Sequence, residues 1–463
     1  MTLETDVLLI NPPTSFMGTH KMKSKEKSKE LFFYPPLGLG YLASILIDSG
    51  FSVEIIDSPT LQLTQEDLIS KIDKLRPSIV GISSTTPQIY STLYLARSVK
   101  EEISSDIKII LGGSHISADP NFVNRFPVFD HAILGEAEIL FPQIVQKILD
   151  GKKIRKMFRG DPPKMLDSLP YPSYDLLPMD KYFMPIHSKH FSSMLTSRGC
   201  PFNCLYCSRP AISHFVRYRS GKNTVDEIKL LEENFSVGWI QFVDDTFTLS
   251  KKHVEDICKN ICDEHLDTYW GCQTRCDLVN REMLNLMYKA GCREITFGVE
   301  NGSFHIRKLI GKNMTNRIVQ KAFFLCQEVG IDTVSFWILG LPTETIKELN
   351  KTIKFACRLP SPYAEFHIAT PFPGSRLFDL ALNEGKITQK TWDDYAENGG
   401  RIPTYVPTKL TFNQLIMYQK KAYRSFYFRP KSIINQIGKI KSMSDIKRIT
   451  QSAIIIWKEI IHS

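Results

Sequence analysis

A chain of 463 residues, 43% of them apolar and 23% charged, is too long for one small module and too apolar for a disordered or fibrous protein, so two or three packed domains are expected. The net charge of +9 is concentrated from Lys420 onward, where ten Lys or Arg face only Asp445 and Glu459, so it says little about the body of the chain. No apolar run approaches the ~18 residues that cross a bilayer, and Met1 to Asp6 is acidic instead of a basic leader. Together these predict a cytoplasmic protein.

Residues 1–150 alternate apolar runs with segments of helical period. Val7 to Ile10, Ser52 to Ile56, Ser78 to Ile82, Ile107 to Leu111 and Phe129 to Leu134 predict five buried strands. Their rhythm is that of a flavodoxin-like, Rossmann-type doubly wound α/β sheet. Thr64 with Asp67 predicts a capping box opening the helix Leu68 to Leu75. In such folds a ligand lies beyond the carboxyl ends of the strands. Here those ends carry Asn11-Pro12-Pro13, Ser83 to Gln88, Gly112-Gly113-Ser114-His115 and Gly135-Glu136. Lys21 to Glu30 reads as a solvated charged loop. Residues 151–189 read as a linker, with the Pro- and aromatic-rich stretch Gly160 to Pro185 packed against both neighbours.

Residues 190–385 carry a second βα series, with strands predicted at Met194 to Thr196, Trp239 to Val243, Tyr269 to Thr274, Glu294 to Val299, Thr333 to Leu339 and Ala364 to Ala369. Helices are predicted at Val225 to Asn234, opened by a Thr224–Glu227 capping box, and at Ile346 to Leu359. Six units suggest a partial (β/α)6 TIM-like barrel with its site at the carboxyl-terminal mouth and one open side. Residues 386–463 are expected to be mainly helical.

Ten cysteines are present and none precedes Cys200. Cys200, Cys204 and Cys207 share one short segment, TSRGCPFNCLYC, just after the first barrel strand. Closely spaced thiolates bind a soft metal or an iron-sulfur cluster. His214 makes a Cys3His zinc site a competitor. An open-cornered four-iron cluster would leave one iron for catalysis. Cys258, Cys262, Cys272, Cys276, Cys292, Cys326 and Cys357 read as small core residues.

The C-x3-C-x2-C motif with Tyr206 before its last Cys, at the head of a βα barrel, resembles the radical S-adenosylmethionine (radical SAM) superfamily over roughly residues 190–385. That resemblance implies a 4Fe-4S cluster on the three cysteines. It further implies S-adenosylmethionine on the open iron, reductive cleavage to a 5'-deoxyadenosyl radical, and hydrogen abstraction from substrate, with electrons from an external donor. It assigns Asp244 and Asp245 of FVDDTF to the methionine ammonium, and Arg275, beside Gln273 in CQTRCD, to the methionine carboxylate. Glu300 of FGVEN is assigned to the ribose hydroxyls, and Leu339, within the segment Ile338 to Leu341, to support of the adenine. Each position also has an ordinary structural reading, as helix cap or ion pair.

Pro35 to Ala43 (PPLGLGYLA), GISSTTPQ, GGSHISADP and GEAE make residues 1–150 resemble the cobalamin-binding domain that precedes the barrel in one radical SAM class. Thr85, Thr86, Gln88, Gly112, Gly113, Ser114, Gly135 and Glu136 would then line the cobalamin site. No D-x-H-x-x-G is present, so no histidine replaces the lower cobalt ligand, and His115 reads as a loop hydrogen-bonding group. Methylthiotransferases of transfer RNA carry three further N-terminal cysteines, which are absent here.

The resemblance points to a cobalamin-dependent C-methyltransferase acting on an unactivated carbon. A radical cyclase, rearrangement or oxidation enzyme is the runner-up, and a noncatalytic metal or cobalamin sensor is the reading from another class. The substrate would be a small molecule, with a lipid or tetrapyrrole worth testing. Ile433, Ile437, Ile440, Trp457 and Ile460, interleaved with lysines, predict a basic amphipathic tail. It would either dock on the barrel or lie on the inner face of the membrane. No nucleic-acid recognition motif is present.

Overall fold

The computed structural model describes residues 5–13, 33–184, 187, 189–208, 213–387, 395 and 403–429. The charged loop Lys21 to Glu30 and the basic tail from Ile433 to Ile460 lie outside these. Strands β1 (Val7–Asn11), β2 (Val53–Asp57), β3 (Ile79–Ser83), β4 (Lys108–Gly112), β5 (His131–Gly135) and β6 (Met157–Gly160) form one parallel sheet in the order β2-β1-β3-β4-β5-β6. Helices cover both faces, so alternate residues of each strand enter two separate cores. This explains why the strands are apolar without alternation. β6 was not anticipated. It is a four-residue edge strand flanked by Lys and Arg, and such strands carry little apolar signal. The Thr64–Asp67 capping box is present, with Asp67 N donating to Thr64 Oγ1 at 3.1 Å and Thr64 N to Asp67 Oδ2 at 3.0 Å.

The connecting segment has no long element. It contains single turns at Leu166–Ser168, Tyr174–Leu176 and Met179–Lys181, each placing a buried side chain. On one side Ser44 Oγ donates to Tyr171 O at 2.5 Å and Tyr182 OH to Asp57 Oδ2 at 2.7 Å. On the other, Tyr174 OH donates to Glu227 Oε1 at 2.6 Å. The segment therefore grips both neighbours. Gly40 permits this approach, since an added Cβ would stand 2.7 Å from Pro172 Cβ.

The second sheet begins with β7 (Phe183–Met184), antiparallel to β8 (Lys189–Met194). The short strands β9 (Ser197–Arg198) and β10 (Arg217–Tyr218) then pair with each other outside it. β11 (Trp239–Phe242), β12 (Tyr269–Thr274), β13 (Cys292–Glu300), β14 (Asp332–Leu339) and β15 (Tyr363–Ile368) complete a parallel half-barrel in the order β15-β14-β13-β12-β11-β8-β7. Two expectations need correction. The first barrel strand ends at Met194, where it was expected to begin, because Thr196 N leaves the ladder for the Asp244 carboxylate. The next helix runs Gly221–Phe235 and is capped by Ser220, whose Oγ accepts from Asn223 N at 3.2 Å. Thr224 and Glu227 are not its cap. Glu227 is fully buried and pairs with Arg219.

The β15 edge of the half-barrel is covered. Helix Phe412–Tyr427, opened by a Thr411–Gln414 capping box, lies along it. Tyr427 OH takes the Ala364 N–H at 3.0 Å, and Gln419 Nε2 donates to Phe366 O at 2.7 Å. The helix thereby satisfies edge groups that would otherwise invite pairing with another chain. No described helix is long and apolar enough to cross a membrane.

Candidate cluster and cofactor site

The loop after β9 carries the three clustered thiols at the barrel mouth. Its path is set by backbone bonds to distant elements: Cys200 N to Ser213 O at 2.9 Å, Leu205 N to Ile310 O at 3.0 Å, and Leu377 N to Leu205 O at 2.9 Å. Gly199 has φ +106°, and a Cβ there would lie 2.4 Å from Phe215 O, so only glycine fits before the first cysteine. Cys204 is buried while Cys200 and Cys207 are half-buried. Burial raises the Cys204 thiol, and Lys312 and Arg275 oppose that rise. A nearby cationic pair favours the thiolate that binds metal.

Among the described residues no three His, Cys, Asp or Glu side chains stand close enough together to hold a single ion, and His214 is exposed. A four-iron cubane takes each thiolate on a different iron, and three thiols on one short loop supply such a donor set.

Around this loop the anticipated residues divide into two groups. Arg275 grips Asp277 with Nε and Nη2, both at 2.9 Å, and lies 3.9 Å over the Phe202 ring. Its Nη1 is buried without a hydrogen-bond partner. A buried guanidinium donor with no acceptor costs free energy, and an incoming carboxylate would relieve that cost. Asp245 is exposed and accepts from Gly199 N at 3.3 Å.

Asp244, by contrast, is committed internally. It is fully buried and takes Thr196 N, Thr196 Oγ1 at 2.8 Å and Ser197 Oγ at 2.5 Å. Burial raises its carboxyl to about 6. Gln273 Nε2 supports the same turn through Asp244 O at 3.1 Å. Glu300 sits at φ +69°, with Oε1 receiving Lys312 Nζ at 2.6 Å and Tyr206 OH at 2.7 Å. Lys312 carries no signal in the sequence. Tyr206 was visible only as an aromatic between two cysteines.

Leu339 is fully buried and ends β14. The turn behind it depends on Glu344, also unanticipated, whose carboxylate accepts from Gly340 N at 2.6 Å, Leu341 N at 3.0 Å and Asn301 Nδ2 at 2.6 Å. Burial raises Glu344 to about 7. A carboxyl whose folded value lies above its ordinary 4.5 contributes stability that is full below the ordinary value and is lost as pH rises through 7. In urea titrations between pH 5 and 8 the wild-type midpoint should therefore fall relative to that of Glu344→Gln. Parallel midpoints would contradict this.

In the first sheet the carboxyl ends of β1, β3, β4 and β5 open onto a cavity of about 200 Å³. Leu9, Ile110, Ile133 and Phe141 line its apolar wall, and Gly112, Gly113, Gly135, Glu136 and Glu138 its edge. Gly113, at φ +97°, would place a Cβ 2.5 Å from Ser84 N and O. Four anticipated residues thus meet at one crevice. Thr85, Thr86, Gln88 and Ser114 are not in that lining. Gln88 Nε2 is bound to Asn11 Oδ1 at 2.9 Å and Pro12 O at 2.6 Å, and its Oε1 to Thr85 at 2.7 Å. Thr86 Oγ1 meets His115 Nδ1 at 3.1 Å. Burial lowers His115 to about 4, so this imidazole is neutral at physiological pH; it makes a hydrogen bond, as expected, but from within a short helix, Ser114–Ala118, and not from a loop. Ser114 is exposed at the start of a short helix.

Glu136 does more than form an edge. With Glu138 it meets Arg198 and Arg217 of the β9–β10 pair, which joins the crevice to the cysteine loop.

Family models match both halves: the B12 binding domain over residues 30–145 and the Radical SAM superfamily over residues 194–356. A protein of Pyrococcus horikoshii described as an uncharacterized methyltransferase is 35% identical over 448 residues, spanning 93% of this chain and 94% of that one. The anaerobic magnesium-protoporphyrin IX monomethyl ester cyclase of Rubrivivax gelatinosus is 28% identical over 85% of this chain and 74% of its own. Among solved structures, the radical S-adenosylmethionine methyltransferase TsrM from Kitasatospora setae, with cobalamin and a [4Fe-4S] cluster bound, has the same fold at a TM-score of 0.71. It is 16% identical, with 99% of this chain and 100% of that chain covered.

Likeness of this extent makes the chain a radical SAM enzyme. Within that class it belongs to the family that carries a cobalamin-binding domain ahead of the barrel. Its cofactors are a 4Fe-4S cluster, S-adenosylmethionine and cobalamin. The unpartnered Arg275 Nη1, the three free thiols of one loop and the glycine-edged crevice fit those three groups.

Proposed function

We propose that this enzyme transfers a methyl group to an unactivated carbon of a small molecule. Cys200, Cys204 and Cys207 hold the cluster, Arg275 Nη1 receives the methionine carboxylate, and Asp245 receives the ammonium. Asp244, engaged through both carboxylate oxygens, and Glu300, engaged through Oε1, keep the surrounding loops in place, with Gln273 supporting the turn at Asp244. Leu339 and its turn form the apolar wall for adenine. The crevice edged by Gly112, Gly113, Gly135 and Glu136 takes cobalamin, and Thr85, Thr86, Gln88 and Ser114 brace that rim. When bound, these groups supply a carbon-centred radical and a methyl donor. The chain's own part is to orient them, neutralise their charges and exclude water.

The observation that supports the reading is the ion-paired junction of crevice and cysteine loop, across which the two proposed cofactor sites would meet. Methyl transfer is preferred to cyclisation because the relative matching nearly the whole chain is described as a methyltransferase. The remaining parts of the proposal are a cytoplasmic setting, an external electron donor and a lipid or tetrapyrrole acceptor. The test is to supply S-adenosylmethionine labelled in its methyl group and to compare small-molecule extracts with and without the enzyme. A labelled product heavier by one methyl group is expected. If 5'-deoxyadenosine accumulates while no acceptor gains label, methyl transfer is wrong and the cyclase reading replaces it.

A further inference from the structure

We propose that Arg198 is a positioning residue that couples the two cofactor sites, so that filling the first-domain crevice and assembling the cluster each favour the other. The inference rests on the assignment of those sites made above. Arg198 lies two residues before Cys200, on β9, yet its side chain leaves the barrel for the first sheet. Its Nη1 donates to Glu136 Oε2 at 2.9 Å and to Glu138 Oε1 at 2.5 Å. The guanidinium stands 4.9 Å over the Tyr41 ring.

Arg217, directly opposite Arg198 in the β9–β10 pair, completes the arrangement. It reaches Glu136 Oε1 at 2.5 Å through Nη2 and Pro163 O at 2.8 Å through Nη1. All four charged side chains are between 8% and 17% exposed, so bulk salt screens them little. Their energy depends steeply on geometry.

Both ends of this group are tied to a site. Glu136 and Glu138 line the crevice, and their backbone has no slack on the β6 side, because a Cβ on Gly160 would lie 1.8 Å from Glu136 O. At the other end, Gly199 wedges between Arg198 and Cys200 with no room for a side chain. Displacement of the Gly135–Glu138 turn by an occupant of the crevice is therefore transmitted to the start of the cysteine loop. Glu138 also keeps one buried oxygen, Oε2, without a partner, so the group has capacity to rearrange.

Coupling between sites is reciprocal and is read as a ratio of affinities. The test measures the Kd of hydroxocobalamin for the full-length protein, with the cluster reconstituted and without it. In the wild type the cluster should tighten cobalamin binding at least about fivefold, the lower end of ordinary coupling. In Arg198→Gln and in Glu138→Gln the ratio should fall close to one while iron content and near-UV circular dichroism stay at wild-type values. Glu138→Gln preserves shape and decides the matter if Arg198→Gln does not fold. A wild-type ratio of one, or a ratio unchanged in the variants, overturns the coupling and leaves the site assignments standing. Failure of the wild type to bind cobalamin or iron overturns both.

Discussion

Cys204→Ala should eliminate the iron-sulfur absorption of anaerobically reconstituted protein and reduce 5'-deoxyadenosine formation by a factor on the order of 10³ or more, the scale on which members of one catalytic unit fail. The loss follows from ligand count. On the proposed assignment the three thiols would hold three irons of the cluster and leave the fourth for S-adenosylmethionine. The fold should survive, because Cys204 is held by its neighbours' backbone bonds, Leu205 N to Ile310 O and Cys207 N to Cys204 O, and alanine keeps those. Far-UV circular dichroism should match the wild type. Cys258→Ala serves as the comparison: that thiol is fully buried in the barrel core, burial holds it far above the ordinary thiol range, and its removal should leave iron content unchanged. Full iron content and activity in Cys204→Ala would refute the assignment.

Arg219→Met should destabilise the barrel by about 3–5 kcal/mol, the cost of stranding one member of a buried ion pair. Arg219 is 4% exposed and its partner Glu227 is fully buried. Arg219 also donates to Leu195 O at 2.9 Å and Asn223 Oδ1 at 2.6 Å. Methionine replaces the volume but not the charge, so Glu227 would retain only the Tyr174 hydroxyl. Adding Glu227→Gln to Arg219→Met should restore a large part of the loss, since the double variant no longer buries a lone carboxylate. Guanidinium unfolding followed by tryptophan fluorescence reads both effects, because Trp239 and Trp270 lie in the same core. Additive losses in the double variant would show that the ion pair is not the cause.

The same pair illustrates where sequence reasoning stopped. Thr224 followed three residues later by Glu227 has the spacing of a capping box, and nothing local distinguishes it from Thr64 with Asp67, where the box does form. Glu227 is diverted because Arg219 and Tyr174, the latter 53 residues away in sequence, reach it inside the core. Asp244 was similarly ambiguous between a ligand-facing acid and a structural one, and in the fold its carboxylate is taken up by long-range bonds to Thr196 and Ser197. The sheet stays an open half-barrel, as a six-unit barrel implies, but its β15 edge is covered by a helix from beyond residue 410, a contact without local pattern.

The sequence by itself determined the parallel sheets, through apolar runs bounded by turn residues, and the cysteine loop, through spacing too tight for chance. These are local signals, written in neighbouring residues and therefore readable without coordinates. The tertiary structure alone decided which acids are buried in hydrogen bonds and which are exposed, where Arg198 and Glu136 meet, and that Arg275 Nη1 has no hydrogen-bond partner. Each of those depends on residues far apart in the chain being brought within hydrogen-bond reach, where burial strengthens a contact that no linear pattern encodes.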